Sequence, residues 1–320
     1  MADFVNVASL TYCGKEAQEI FSKSVYNLPL AGYGITLMDN VKGKQKIYNY
    51  GETGDNMWQA YTCPFSPSGS ATLAESTIEP VRIKVNLENC YDKFDNTYLV
   101  EQTRIALDGG IPQTFSEWFF NQQLLPKMEK EYQSIFWQGD TAYSGAHAYL
   151  KVTDGIEKKI KEADGANLIQ AAGAITVDNV ISQVEAVVMK ALQVAATEEV
   201  DTENYKIMMN YADLKLLEVA LGKESNGNLT VSIFKNYSKN GDTINVMGFD
   251  VVPTMQSRGT IIMGPVNNLV LGFDTFDSHT EYRLIDMRET TGDNSFRVLA
   301  LSNIAVGIVL PELFVYSHQA

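Results

Sequence analysis

The stretch from Ile244 to Asp274 reads I-N-V-M-G-F-D-V-V-P-T-M-Q-S-R-G-T-I-I-M-G-P-V-N-N-L-V-L-G-F-D. Three short apolar runs, Ile244–Met247 with Phe249–Val252, Thr260–Met263 and Leu269–Phe273, alternate with Gly248, Pro253, Arg258-Gly259 and Gly264-Pro265. β-branched runs bounded by turn residues are strands, and this spacing is too tight for helices. The segment is therefore expected to form a small sheet or part of one.

Downstream, Glu281–Ile285, Phe296–Leu301 and Ala305–Leu310 continue as strands. The nearly uncharged run Val298–Pro311 falls short of the ~20 residues a membrane helix needs and reads as buried strand. Upstream, Leu229–Phe234 and Thr243–Met247 are expected to pair through Lys239-Asn240-Gly241-Asp242, a hairpin cue. Asn210 is a candidate N-cap for a short helix carrying Leu214, Leu217 and Leu221 on one face, stopped by Gly222. Another helix is expected from Thr176 or Asp178, its stripe formed by Val177, Val180, Ile181, Val184, Val187, Val188, Ala191 and Leu192.

The strongest helix signal lies further upstream. Thr114 and Glu117 have capping-box spacing. Phe115, Trp118, Phe119, Gln122, Leu125, Met128, Tyr132, Ile135 and Phe136 then recur at spacings of three and four before Gly139-Asp140. At ~1.5 Å per residue the span approaches 35 Å. Pro126, inside it, is expected to kink or divide the helix. Before it, Lys44–Tyr50 and Pro80–Leu87 are extended candidates flanking a punctuated segment with Gly51, Gly54, Pro64 and Pro67, which suggests a projecting hairpin. Lys42, Lys44 and Lys46 form a basic comb at period two, and residues 1–40 read as an arm leaning on other structure. The whole is α+β, without internal repeats.

Composition bounds the function. The chain has 320 residues and a formal net charge of −14, with no long Lys/Arg run. Tight sequence-independent nucleic-acid binding needs many basic phosphate contacts, so a dedicated DNA- or RNA-binding role is disfavoured. A container for DNA is not. Cys13, Cys63 and Cys90 form no C-x-x-C pair and are expected to be free thiols in a reducing cytoplasm. No signal peptide is expected at Met1-Ala2-Asp3-Phe4.

Catalytic signatures are weak. The histidines are His147, His279 and His318; there is no H-E-x-x-H, no phosphate-binding loop and no G-x-S-x-G. Gly32-Tyr33-Gly34 reads as a turn. Asp274, Asp277 and His279 read as a solvated loop, with metal ligation the weaker reading. Glu88, Asp92 and Asp95 would be needed for a paired-carboxylate hydrolase. No cofactor, metal or catalytic residue is assigned.

The pattern x-x-G-x-x-V-V-P-T … G-T-I-I-x-G-P … N-L-V-x-G-F-D resembles the late strands of major capsid proteins of tailed bacteriophages, the Hong Kong 97-type shell fold. Ile135-Phe136-Trp137-Gln138-Gly139-Asp140 followed by Asp154-Gly155-Ile156 resembles the W-x-G-[DN] … D-G-I run that often follows the spine helix of that family. The resemblance covers roughly residues 40 to 317. It implies an N-terminal arm (1–42), an extended loop (43–87), a peripheral domain with the spine helix (88–165 and 275–320) and an axial domain (166–274). It also implies a virion protein, assembled in the host bacterial cytoplasm, that builds pentamers and hexamers of an icosahedral head around double-stranded DNA. Portal and scaffolding or cement proteins would be its partners. Met57, Trp58, Tyr61 and Phe65 in the extended loop, with Lys42, Lys44 and Lys46, would contact a neighbouring subunit. Residues 1–40 lack the charged helical scaffolding segment of many relatives, and no Lys and Asn positions can be matched to the cross-link known in one member. Two other readings stand beside this one: an encapsulin-type nanocompartment shell and a carboxylate-dependent hydrolase.

Overall fold

The computed structural model describes residues 11–13, 29–53, 61, 63, 71–109, 114–163, 165–171, 173–224, 234–238, 241–273, 281–288 and 290–319. The elements run β1 (Thr11–Cys13), α1 (Pro29–Tyr33), β2 (Thr36–Met38), β3 (Gln45–Thr53), β4 (Ala71–Ile78), β5 (Val81–Cys90), α2 (Asp95–Leu107), α3 (Phe115–Phe119) and α4 (Leu125–Gln138). Then follow α5 (Ile156–Glu162), β6 (Asn167–Ala171), α6 (Val180–Thr197), β7 (Tyr205–Asn210), α7 (Tyr211–Glu224), β8 (Phe234–Ser238), β9 (Gly241–Val246), β10 (Phe249–Thr254), β11 (Ile261–Pro265) and β12 (Leu269–Phe273). The chain closes with β13 (Glu281–Asp286), β14 (Ser295–Ile308) and β15 (Val315–Gln319).

Among the described residues two sheets form the body. Sheet I has six strands built around β14, which pairs antiparallel with β5, β12 and β13; β1 extends β13, and β2 runs parallel to β12. Sheet II has seven strands in the order β6-β15-β11-β7-β10-β9-β8. The hairpin β3–β4 belongs to neither.

Sheet II separates two hydrophobic cores, and its strands feed both. Ile207, Met209, Val251, Ile261, Met263 and Val315 pack with α6 and α7. Met208, Val252, Ile262, Phe314 and Tyr316, the alternate residues, pack with α3, α4, α5 and sheet I. Successive strand side chains point to opposite faces, so a strand covered on both sides reads as an unbroken apolar run. That explains Ile261-Ile262-Met263 and Ile207-Met208-Met209. By length and composition α6 would also suit a bilayer. Its Val180, Val184, Val187, Val188 and Ala191 are instead buried in the core it shares with sheet II.

Several expectations are met. The Thr114–Glu117 capping box is formed in full. Gly248 does punctuate the strands, but Met247, read as the end of a strand run, turns with it: their φ of 54° and 90° make the tight turn between β9 and β10, the two left-handed residues a type I′ hairpin requires. The Asn210 side chain accepts the Ala212 N–H at 2.9 Å where α7 begins. Pro126 does interrupt the long helix. Between α3 and α4 lies a π-turn, Phe120–Leu124, in which the Leu125 N–H donates to the Phe120 carbonyl. Proline cannot donate and crowds the carbonyl four residues back, so the wider turn falls directly before it.

Other expectations are corrected. The opening stretch is not one sheet: β9, β10 and β11 lie in sheet II, whereas β12 crosses to sheet I. The hairpin returns through β4, not through Pro80–Leu87; β5 pairs along its whole length with β14. Phe296–Leu301 and Ala305–Leu310 are halves of the single strand β14. β15 joins sheet II between β6 and β11, apart from β13 and β14. Helix α7 continues past Gly222 to Glu224, and Leu192 in α6 is 39% exposed. Of the expected strand Leu229–Phe234, only Phe234 lies within the described residues, as the start of β8.

Candidate assembly surfaces and the joint beneath them

The root of the β3–β4 hairpin is anchored to the body. Ile78 is fully buried and packs with Val41, Val270 and Ala305. A Cβ at Gly272 would lie 3.1 Å from the Val41 methyl and 3.2 Å from the Ile78 terminal methyl, so the glycine keeps that slot open. The Ser76 hydroxyl donates to the Ile308 carbonyl at 2.6 Å. Past this root, β3 and β4 pair only with each other among the described residues, from Gln45↔Ile78 to Thr53↔Ala71.

Lys42, Lys44 and Lys46 are all exposed. The comb is not a single strand face, however: β3 starts at Gln45, so only Lys46 stands in the strand, opposite Thr77. Val41 is buried immediately before Lys42, and Ile47, packed against the root, immediately follows Lys46. Tyr61 is 93% exposed. Met57, Trp58 and Phe65 lie outside the described residues.

On the body, a cavity of about 350 Å³ opens between β5, β14 and α4, lined by Ile83, Val85, Met128, Tyr132, Ile135 and Ser302 among others. Strand β5 pairs with β14 alone among the described residues, and Arg82 and Lys84 are exposed along it. Charged side chains of this kind discourage unwanted edge pairing.

The Trp137-Gln138-Gly139-Asp140 and Asp154-Gly155-Ile156 segments meet as one joint. The Gly155 N–H donates to the Gly139 carbonyl at 2.7 Å. A Cβ on Gly139 would fall 2.3 Å from the Thr153 carbonyl oxygen and 2.6 Å from that of Ile135, both fixed backbone. Around this contact Lys158 bridges Asp140 at 2.8 Å and Asp154 at 2.9 Å. Asp154 also accepts the N–H and hydroxyl of Thr141, each at 2.8 Å. The Lys158 hydrogen bond holds Asp140 below the usual carboxylate range. Trp137 and Ile156 are buried on either side.

Of the carboxylates considered for catalysis, Glu88 and Asp92 have partners, whereas the buried Asp95 Oδ1 accepts no hydrogen bond among the described residues. Glu88 pairs with Arg297 at 3.1 Å, and Asp92 accepts from the Asn294 amide at 2.7 Å. Burial and then the neighbouring Asp92 push Asp95 up. Asp274, Asp277 and His279 lie outside the described residues, and among the described residues no group of three or more His, Cys, Asp or Glu converges. Reasoning from sequence missed α2, α5, β4, β7 and β15. The double-sided burial of β7 was visible only as the run Ile207-Met208-Met209.

Comparison by sequence finds no matching family model and no matching curated protein. Comparison by structure does find chains of similar fold. A chain of the satellite phage P4 procapsid, which includes the size determination (Sid) protein, aligns with a TM-score of 0.59 at 10% identity, covering 94% of this chain and 98% of that one. The capsid of Myoviridae phage XM1 aligns at 0.55 and 10% identity over 100% and 96%. The capsid of the empty GTA particle aligns at 0.53 and 12% identity over 100% and 94%. With matches running through both chains almost end to end, the protein has the fold of tailed-phage capsid proteins.

Proposed function

We propose that this chain is a major capsid protein, building the icosahedral head of a tailed phage around double-stranded DNA. The observation that carries this reading is the extent of the structural match: chains from phage capsid particles align over nearly the whole of this sequence and of their own. The role is structural rather than enzymatic, in keeping with the capsids among its structural neighbours. An acidic chain suits a wall that encloses DNA without gripping it. The structural neighbours named above are phage and GTA capsids, which favours a phage head over an encapsulin-type compartment.

In this reading, residues 1–42 are the arm and the β3–β4 hairpin is the extended loop. The spine helices with β13 and β14 form the peripheral domain, and sheet II with α6 and α7 the axial domain. Met57, Trp58, Tyr61 and Phe65, with Lys42, Lys44 and Lys46, contact the neighbouring subunit. Burying a large apolar side chain stabilises by ~1.5–3 kcal/mol, so a loop carrying several fits a partner surface. Portal and scaffolding or cement proteins complete the particle, which assembles in the host cytoplasm.

Electron microscopy of the purified chain tests this: closed shells, or pentamers and hexamers, are expected. A strictly monomeric species at high concentration in every salt condition would overturn it. Thr53 already faces Ala71, so residues 54–70 can be replaced by an Asn-Gly turn without breaking the hairpin ladder. That variant should remain folded by circular dichroism and lose shell formation. Shells that still close would remove the clasp role, and an unfolded variant would place the segment in the subunit's own core.

A further inference from the structure

The link from β10 to β11 is tied from two directions. From sheet II and α7, the Asn210 amide donates to the Gln256 carbonyl at 2.5 Å, and Asp213 accepts the Gly259 N–H at 2.7 Å. From the spine layer, the Gln138 amide donates to the Met255 carbonyl, and Glu157 accepts the Ser257 N–H. These contacts place the link where the two layers meet.

Glu157 is the unusual member. It stands in the first turn of α5, only 9% exposed, and among the described residues no cation pairs with it. On its own helix Lys158 is taken by Asp140 and Asp154, and Lys159 donates to the Val306 carbonyl at 2.8 Å. Lys161, further along α5, is exposed. In the link, Arg258 reaches Asp213 at 3.3 Å. On β15, Tyr316 stacks on His318 with ring centroids 5.5 Å apart, and the turn before it brings Glu312, another acid. The facing end of α4 (Ile135–Gln138) and the β14 segment Ile304–Ile308 carry no titratable group.

We propose that Glu157 is a pH-sensitive latch: protonated, it clamps the β10–β11 link to α5; ionised, it releases the link and loosens the joint between the two layers. A neutral carboxyl keeps its carbonyl oxygen for the Ser257 N–H. An ionised one is a buried charge without a counter-ion, and opening the link to water relieves it. Burial accordingly pushes Glu157 up from its ordinary 4.5 to about 7, although hydrogen bonds from Ser257 pull it down. A group whose folded-state pKa lies above its unfolded value contributes stability that is fully present below the unfolded value and lost as pH rises through the folded one. The latch therefore weakens between pH 4.5 and about 7 and is open to exchange above that.

Arg258, with a side chain 67% exposed, offers a tryptic site within the link. In the full-length chain, cleavage after Arg258 is compared with that of Glu157→Gln, an uncharged isostere that keeps the acceptor, under identical protease at each pH. Cleavage that samples an opened state follows its population. The wild-type to variant ratio should rise about tenfold from pH 6 to pH 8. A flat ratio would overturn the latch. Amide exchange in the wild type keeps the test independent of the variant's folding: protection of Ser257 and Gly259 relative to Leu217 in α7 should fall over the same range, and constant relative protection would count equally against it.

Discussion

Gly139 shows why the single residue matters here. Its φ of −51° and ψ of 135° are open to any amino acid, so conformation does not demand glycine. Space does: the Thr153 and Ile135 carbonyls occupy the position of a side chain. Neither is a flexible side chain that can swing away, so Gly139→Ala must push α5 off the end of α4. The expected loss is about 3 kcal/mol, the upper part of the range for overpacking, read as a lower denaturation midpoint with unchanged slope. Gly43→Ala is the control. That site is exposed and nothing lies within 4 Å of an added Cβ, so its effect should stay within about 0.5 kcal/mol. Equal effects at the two sites would mean that the Gly139–Gly155 contact does not hold the joint.

At the scale of elements, the long helical span is two α-helical segments joined by a π-turn, and Pro126 occupies the first turn of the second. The π-turn directly before it already departs from the regular bonding pattern, so the N–H that Pro126 lacks is not missed there. Pro126→Ala is therefore expected to change stability by less than about 1 kcal/mol. Lys130→Pro, also exposed but one turn further into α4, removes an interior hydrogen bond and clashes with the carbonyl four residues back. It should cost about 3 kcal/mol or more. Urea denaturation of both variants checks the pair; a Lys130→Pro effect as small as that of Pro126→Ala would mean that α4 contributes little to the core. That outcome would be hard to reconcile with the burial of Met128, Tyr132, Ile135 and Phe136.

At the scale of the molecule, two cores share sheet II as a common wall, so the layers are joined by strands buried on both faces. Among the described residues the hairpin alone lies outside both sheets. In the shell proposed above, each copy would carry a formal charge of −14, and bringing many copies together would concentrate like charge. Salt shortens the Debye length from roughly 30 Å at 0.01 M to 8 Å at 0.15 M. Assembly should therefore increase over that range, followed by sedimentation as a shift from subunits and capsomers to particles. Assembly that declines with salt would show that attraction between opposite charges across the interface outweighs the overall repulsion.

The sequence alone determined what short-range chemistry decides. The Thr114–Glu117 cap, the turn at Gly248, the Asn210 helix start and the break at Pro126 each depend on residues a few positions apart, and all are present in the structure. It also carried the order of elements through which the phage-capsid resemblance was legible at only 10% identity to the P4 procapsid chain. Only the tertiary structure decided which strand joins which sheet. β5 meets β14 through pairs such as Cys90↔Ser295, and β15 inserts beside β11 through Met263↔Val315. Such pairings are chosen by burial across the whole chain. Where a strand is covered on both faces, as Ile207-Met208-Met209 and Ile261-Ile262-Met263 are, burial removes the alternation that would have named its inner face. Likewise Glu157 reads as one more surface acid on a short charged helix, until the Ser257 link and β15 close over it.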